Sequence, residues 1–104
     1  MIIRSLLLLT LLASPSFAQS PRAQGEALVK AQCAPCHAIG RTGSSPNAAA
    51  PPLRLVAAKY RIEDLEEAFA EGIMVGHQAG EMPAFEMTPA QIEGLSAYLR
   101  SLKR

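Results

Sequence analysis

Cys33-Ala34-Pro35-Cys36-His37 contains the only two cysteines of the chain, three positions apart and followed directly by a histidine. A disulfide between them would close so small a loop that it removes little entropy from the unfolded state, so these thiols are poor structural staples. Toward the N-terminus, residues 1–18 carry one cation, Arg4, then the apolar run Leu6 to Ala13, then Ser16-Phe17-Ala18. A cation, an apolar stretch and small residues at the −3 and −1 positions make a secretory signal peptide. The run is shorter than the roughly 20 apolar residues that span a bilayer. The expectation is therefore export to the periplasm, cleavage after Ala18, and a mature domain of residues 19–104 with no stable membrane insertion.

Of the 104 residues, 86 remain after such a cleavage. That is one domain, too short for a doubly wound dinucleotide fold or a barrel. Loss of Arg4 leaves nine basic side chains against nine acidic ones, so nothing in the charge points to nucleic acid or an anionic surface. Trp is absent, and Phe69, Phe85, Tyr60 and Tyr98 are the mature chain's only aromatics. Scaffolds of this size with so sparse a core need a staple, and the cysteine spacing suggests one that is not peptidic.

The periodicity is helical throughout. Ser20 and Pro21 suit a helix start, and Ala23, Ala27, Leu28 and Ala31 predict the apolar face of a helix ending near Gln32. Residues 38–52 are rich in Gly, Ser, Ala and Pro and read as loop. Leu53, Leu55 and Val56 open a short apolar segment that ends near Lys59-Tyr60. Ile62, Leu65, Phe69 and Ile73 predict the buried face of a second long helix with Gly72 near its end. Glu63, Asp64, Glu66, Glu67 and Glu71 form its solvated face. Thr88, Pro89 and Gln91 make a capping box for a last helix, with Ile92, Leu95, Leu99 and Leu102 inward and Tyr98 alongside. The cations Arg100, Lys103 and Arg104 suit that helix's negative end. The fold class expected is all-α. Residues 73–87 make an unusually long connection, as wrapping a cofactor would require.

Three chemistries can use the cysteine motif. C-x-x-C-H is the attachment pattern of c-type haem: two thiols form thioethers at one porphyrin edge, and the adjacent imidazole faces iron. A thioredoxin-like dithiol expects a βαβ setting, which the pattern lacks. A zinc site could count Cys33, Cys36, His37 and His77, but the adjacent Cys36 and His37 would have to converge on one ion. Haem is the reading that the export signal, the helices and the long late loop share.

On these residues, and across positions 22 to 103, the chain resembles the small, exported, single-haem class I c-type cytochromes. The resemblance implies a cytochrome c-like fold of three to five helices wrapped around one covalent haem c. It implies that Gly25 is crossed closely by the last helix, with Tyr98 as its aromatic neighbour. Pro51-Pro52-Leu53 matches the family's Pro-x-Leu, so the carbonyl of Pro51 would accept the Nδ1–H of His37 and turn Nε2 toward iron. Pro52 offers a competing register, and a merely stiff turn is the ordinary alternative. Met82-Pro83-Ala84-Phe85 resembles the distal segment, with Met82 as sixth ligand and Phe85 packed nearby.

Local pattern also separates the distal candidates. Met87 precedes the Thr88 cap and suits packing against Ile92, Met74 lies among Ile73 and Val75 as core filling, and His77 reads as a loop histidine. Met82 is held extended by Pro83. The expected site is thus Cys33, Cys36, Pro51, Leu53 and Phe85 around the haem, with His37 and Met82 on iron. The function expected is one-electron transfer between redox partner proteins by a monomer, not turnover as an enzyme. A haem-based ligand binder or peroxidase-like protein with a labile distal site is the alternative. A small cytochrome subunit of a larger oxidoreductase is another.

Overall fold

The computed structural model describes residues 19–72 and 86–103. The expected signal peptide, Ile73, Met74, His77, Met82, Phe85 and Arg104 lie outside them. The described residues form four α-helices and no strand: α1 (Pro21–Gln32), α2 (Leu53–Lys59), α3 (Ile62–Glu71) and α4 (Pro89–Leu102). All-α is therefore the observed class. The last helix organises the rest, packing against α1 most extensively and against α3 and α2 as well.

The helix ends follow local chemistry. Ser20 Oγ accepts the N–H of Ala23 at 3.2 Å, with Pro21 in the first helical turn. The capping box of α4 is complete: Gln91 N–H donates to Thr88 Oγ1 at 3.2 Å, and Thr88 N–H donates to Gln91 Oε1 at 2.9 Å. Gly72 ends α3 with φ 75°, the left-handed conformation that glycine adopts without a Cβ penalty.

The buried face of α1 differs from its alanine pattern. Ala27 and Ala31 are exposed and Ala23 and Leu28 only half-buried, whereas Gly25 and Val29 are buried. The reason is backbone contact. A Cβ built on Gly25 would lie 1.8 Å from the carbonyl oxygen of Gly94 and 2.3 Å from its carbon. One on Gly94 would lie 3.0 Å from Gly25 N and 3.1 Å from Pro21 O. Two glycines, rather than the count of methyl groups, choose the face, and Val29 one turn further on fills the core beneath. The backbone of Gly94 is thus what Gly25 meets most closely at the crossing. Tyr98 lies one turn along the same helix, buried, with its hydroxyl donating to Ile39 O.

Around this crossing Leu53, Ala57, Ile62, Leu65, Leu95, Leu99 and Leu102 complete the core. Ile92 is only half-buried, and Ser96 is buried in its place on the α4 face, its hydroxyl returned to Ile92 O at 2.7 Å. In α2 the pair Leu53 and Ala57 faces inward and Leu55, on the opposite side, is 54 % exposed. The acidic face of α3 is solvated at Glu63, Asp64, Glu67 and Glu71, but Glu66 is half-buried and meets Arg100 of α4 at 3.1 Å. Arg100 also lies 3.7 Å from Glu63. The backbone amide of Glu63 in the first turn of α3, aided by Arg61, Arg100 and Lys103, holds its carboxyl below the ordinary value. That contribution to stability is present above the unfolded carboxylate pKa and is lost as pH falls through the folded one.

The crossing is testable by one methyl group. Gly25→Ala meets rigid backbone and should lower unfolding free energy by about 3 kcal/mol or more, and Gly94→Ala by about 1 kcal/mol. Denaturant midpoints of the two variants check both the loss and its order.

Candidate functional site

The cysteine motif continues the last turn of α1. Cys33 is the helix C-cap, its N–H donating to Val29 O at 2.9 Å, and Ala34 N–H donates to the same carbonyl at 2.9 Å. Cys36 N–H and His37 N–H then both donate to Cys33 O, at 3.1 and 2.9 Å. The two sulfurs are not joined: both are free and half-buried. Cys33 packs against the hydrophobic core, and burial pushes its thiol up to about 11.

His37 is buried, 6 % exposed. Its Nδ1 lies 2.6 Å from the carbonyl oxygen of Pro51. A carbonyl can only accept, so Nδ1 carries the proton, and in the neutral ring Nε2 is the nitrogen able to bind a metal. Pro52, the competing register, is instead the N-cap residue of α2. Fourteen residues of chain must fold to bring Pro51 back to the ring. The bonds that do so are Asn47 N–H to Cys36 O (3.1 Å), Ala38 N–H to Ser45 Oγ (3.0 Å), and Leu53 N–H to Ala38 O (2.9 Å). Within the loop Asn47 caps its own turn, its Oδ1 accepting the Ala49 N–H at 2.9 Å and its carbonyl the Ala50 N–H at 3.0 Å. Leu53 itself is buried in the core.

Of the expected site residues, the structure gathers Cys33, Cys36, His37, Pro51 and Leu53 around the end of α1. Met82 and Phe85 lie outside the described residues. Ser45 and Asn47, which hold the loop, were not singled out by the sequence, although Asn47 after Pro46 is turn chemistry.

The rival chemistries fit poorly. Cys33, Cys36 and His37 are all described, and among the described residues no three His, Cys, Asp or Glu side chains are grouped to hold an ion. A dithiol of thioredoxin type needs a lowered thiol pKa, whereas that of Cys33 is raised by burial. Two free sulfurs beside a histidine whose Nδ1 is already engaged instead suit covalent capture of a ligand. A further polar atom fits such a ligand: Arg54 Nη1 is buried with no hydrogen-bond partner. Haem brings carboxylates that such an unpaired guanidinium nitrogen can take.

The loop geometry predicts the state of the ring. In the intact protein the His37 Nδ1 proton should resonate far downfield and exchange slowly. Deleting Ala49 shortens the path to Pro51 and should abolish that resonance, as proton NMR would show.

No curated protein and no solved structure matches the chain. The family model described as Cytochrome c matches residues 22–103, from the first turn of α1 to the end of α4. With the sequence motif, the helical architecture and this match in agreement, the chain belongs to the cytochrome c family.

Proposed function

We propose that this chain is a periplasmic one-electron carrier whose haem c is joined to Cys33 and Cys36 and ligated by His37 and Met82. Membership of the cytochrome c family implies covalent haem c and haem-based electron transfer; the residue assignments, the compartment and the carrier role are the proposal. The observation that supports it most is the 2.6 Å contact between His37 Nδ1 and Pro51 O. Metal-bound histidines almost always give their other N–H to such a partner, which fixes the ring and raises its basicity.

When bound, the haem supplies one-electron exchange at iron. The chain's own part is to hold it and tune it. Cys33 and Cys36 provide the thiols for two thioethers, and His37 presents Nε2 from a ring whose tautomer Pro51 sets. Met82, for which the following proline disfavours helical backbone, is the sixth ligand proposed from sequence, and Phe85 is the apolar neighbour proposed for it. A filled sixth position limits the iron to passing electrons, whereas an open one binds small ligands. Residues 1–18 serve as the export signal, and among the described residues no helix is long and apolar enough to cross a membrane. Donor and acceptor are redox proteins, and the carrier is a monomer that does not itself turn over a substrate.

Two experiments test this reading. The ferric protein should show the near-infrared sulfur-to-iron charge-transfer band and lose it in Met82→Ala, while the ferrous protein should bind almost no carbon monoxide at neutral pH. A band that survives the substitution removes Met82 from the site, and avid carbon monoxide binding favours the ligand-binding class. Independently, Cys33→Ala with Cys36→Ala should abolish both haem attachment and accumulation of folded protein in the periplasm. A colourless double variant with cooperative unfolding would sink the idea that this sparse core needs its cofactor.

A further inference from the structure

Helix α4 holds the chain on both sides of Gly40. The Tyr98 hydroxyl donates to Ile39 O, and Arg41 Nη2 donates to Ser101 O at 2.8 Å. The first bond joins residues 59 apart in sequence and the second residues 60 apart, so neither belongs to local loop geometry. Tyr98 is 5 % exposed, and Ile39 stands two positions after His37. The other end of this stretch, Cys33, is the C-cap of α1, which is locked to α4 through Gly25 and Gly94. One rigid helix pair therefore grips the segment 33–41 at its start and at its end, with His37 between.

The ring's second anchor hangs from the same segment. Pro51 O meets Nδ1, and the chain two residues later is tied back by Leu53 N–H to Ala38 O at 2.9 Å. A displacement of Ile39 thus moves the backbone that carries the imidazole and the backbone that carries its acceptor. Removing the Tyr98 hydroxyl leaves a half-buried carbonyl at Ile39 without that donor, and the loop loses its tie to α4 at this point. Arg41 is exposed, but it brings a cation to carbonyls at the negative end of α4.

We propose that Tyr98 and Arg41 are positioning residues through which α4 sets the orientation of the His37 imidazole, and hence its strength as a ligand. This rests on the reading of His37 as an iron ligand. Tyr98 carries the larger share because its bond is the more buried of the two.

The test uses the ferric holoprotein and the spread of its haem-methyl proton resonances, which follows the plane of the axial imidazole, together with the reduction potential. Tyr98→Phe keeps the ring in the core and removes only the donor. It should reorder or rescale the methyl resonances and shift the potential. Arg41→Gln should do so to a smaller extent, and Arg41→Lys should return part of the wild-type pattern. Leu65→Ala, a core truncation on α3 that lies away from both bonds, serves as the control: it should lower the denaturant midpoint with the methyl pattern unchanged. If Tyr98→Phe and Arg41→Gln behave like that control, losing stability at constant methyl spread and potential, the positioning role is overturned. A His37→Gly holoprotein with the wild-type pattern would overturn the ligand reading itself, a result distinct from failure of the two positioning variants.

Discussion

Backbone against backbone at Gly25 and Gly94 is the contact on which the rest of this small protein depends. Each glycine offers the other a surface without a Cβ, and the gap they leave has no room for a methyl group on Gly25 and only a tight fit for one on Gly94. That closeness decides which face of α1 is buried, sends Val29 into the core, and places Tyr98 one turn along α4 where it reaches Ile39. Because α1 ends in Cys33, the same contact fixes the origin from which the haem motif is wound. A domain with so few aromatic side chains gains specificity here from the absence of side chains.

The second level of construction is the loop between His37 and Pro51. It has no regular secondary structure, yet Ser45, Asn47 and Leu53 each tie it back to a residue beside the histidine. A Gly/Ser/Ala/Pro-rich stretch that would otherwise be a floppy connection is thereby converted into a support for one carbonyl at one ring nitrogen. Its uncharged composition also keeps formal charge away from the imidazole, the one cation within it, Arg41, being turned to the end of α4.

What was legible in the sequence is what short-range chemistry controls. Ser20 with Pro21, Thr88 with Pro89 and Gln91, and Gly72 each announce a helix end because cap and capped amide lie within a few residues. The Cys33-to-His37 string was legible for the same reason, and the Pro51 carbonyl became an expectation through the family resemblance. The alanine face of α1 misled, because alanine sits equally well in water and in a core, and only the distant Gly94 decides between them. Gly94 drew no attention for the matching reason: alone it is a weak helix residue, and its meaning lies in Gly25. Likewise Glu66 looked like its acidic neighbours until Arg100, on another helix, drew it toward the interior. The attachments of Tyr98 and Arg41 join opposite ends of the chain and leave no periodic trace.

The α1–α4 crossing also orders events in time. Its two halves are separated by the stretch between Gln32 and Pro89, so a chain that emerges N-terminus first exposes the cysteine helix long before the helix that covers it exists. Such non-local pairing is slow to close, because loop entropy is lost before any contact is gained. Until α4 arrives, the Cys33 thiol lacks the packing that later buries it. The protein thus has an early open stage in which the sulfurs are accessible and a late closed stage in which they are shielded. The passage between the two is timed by the stretch of chain that separates α1 from α4.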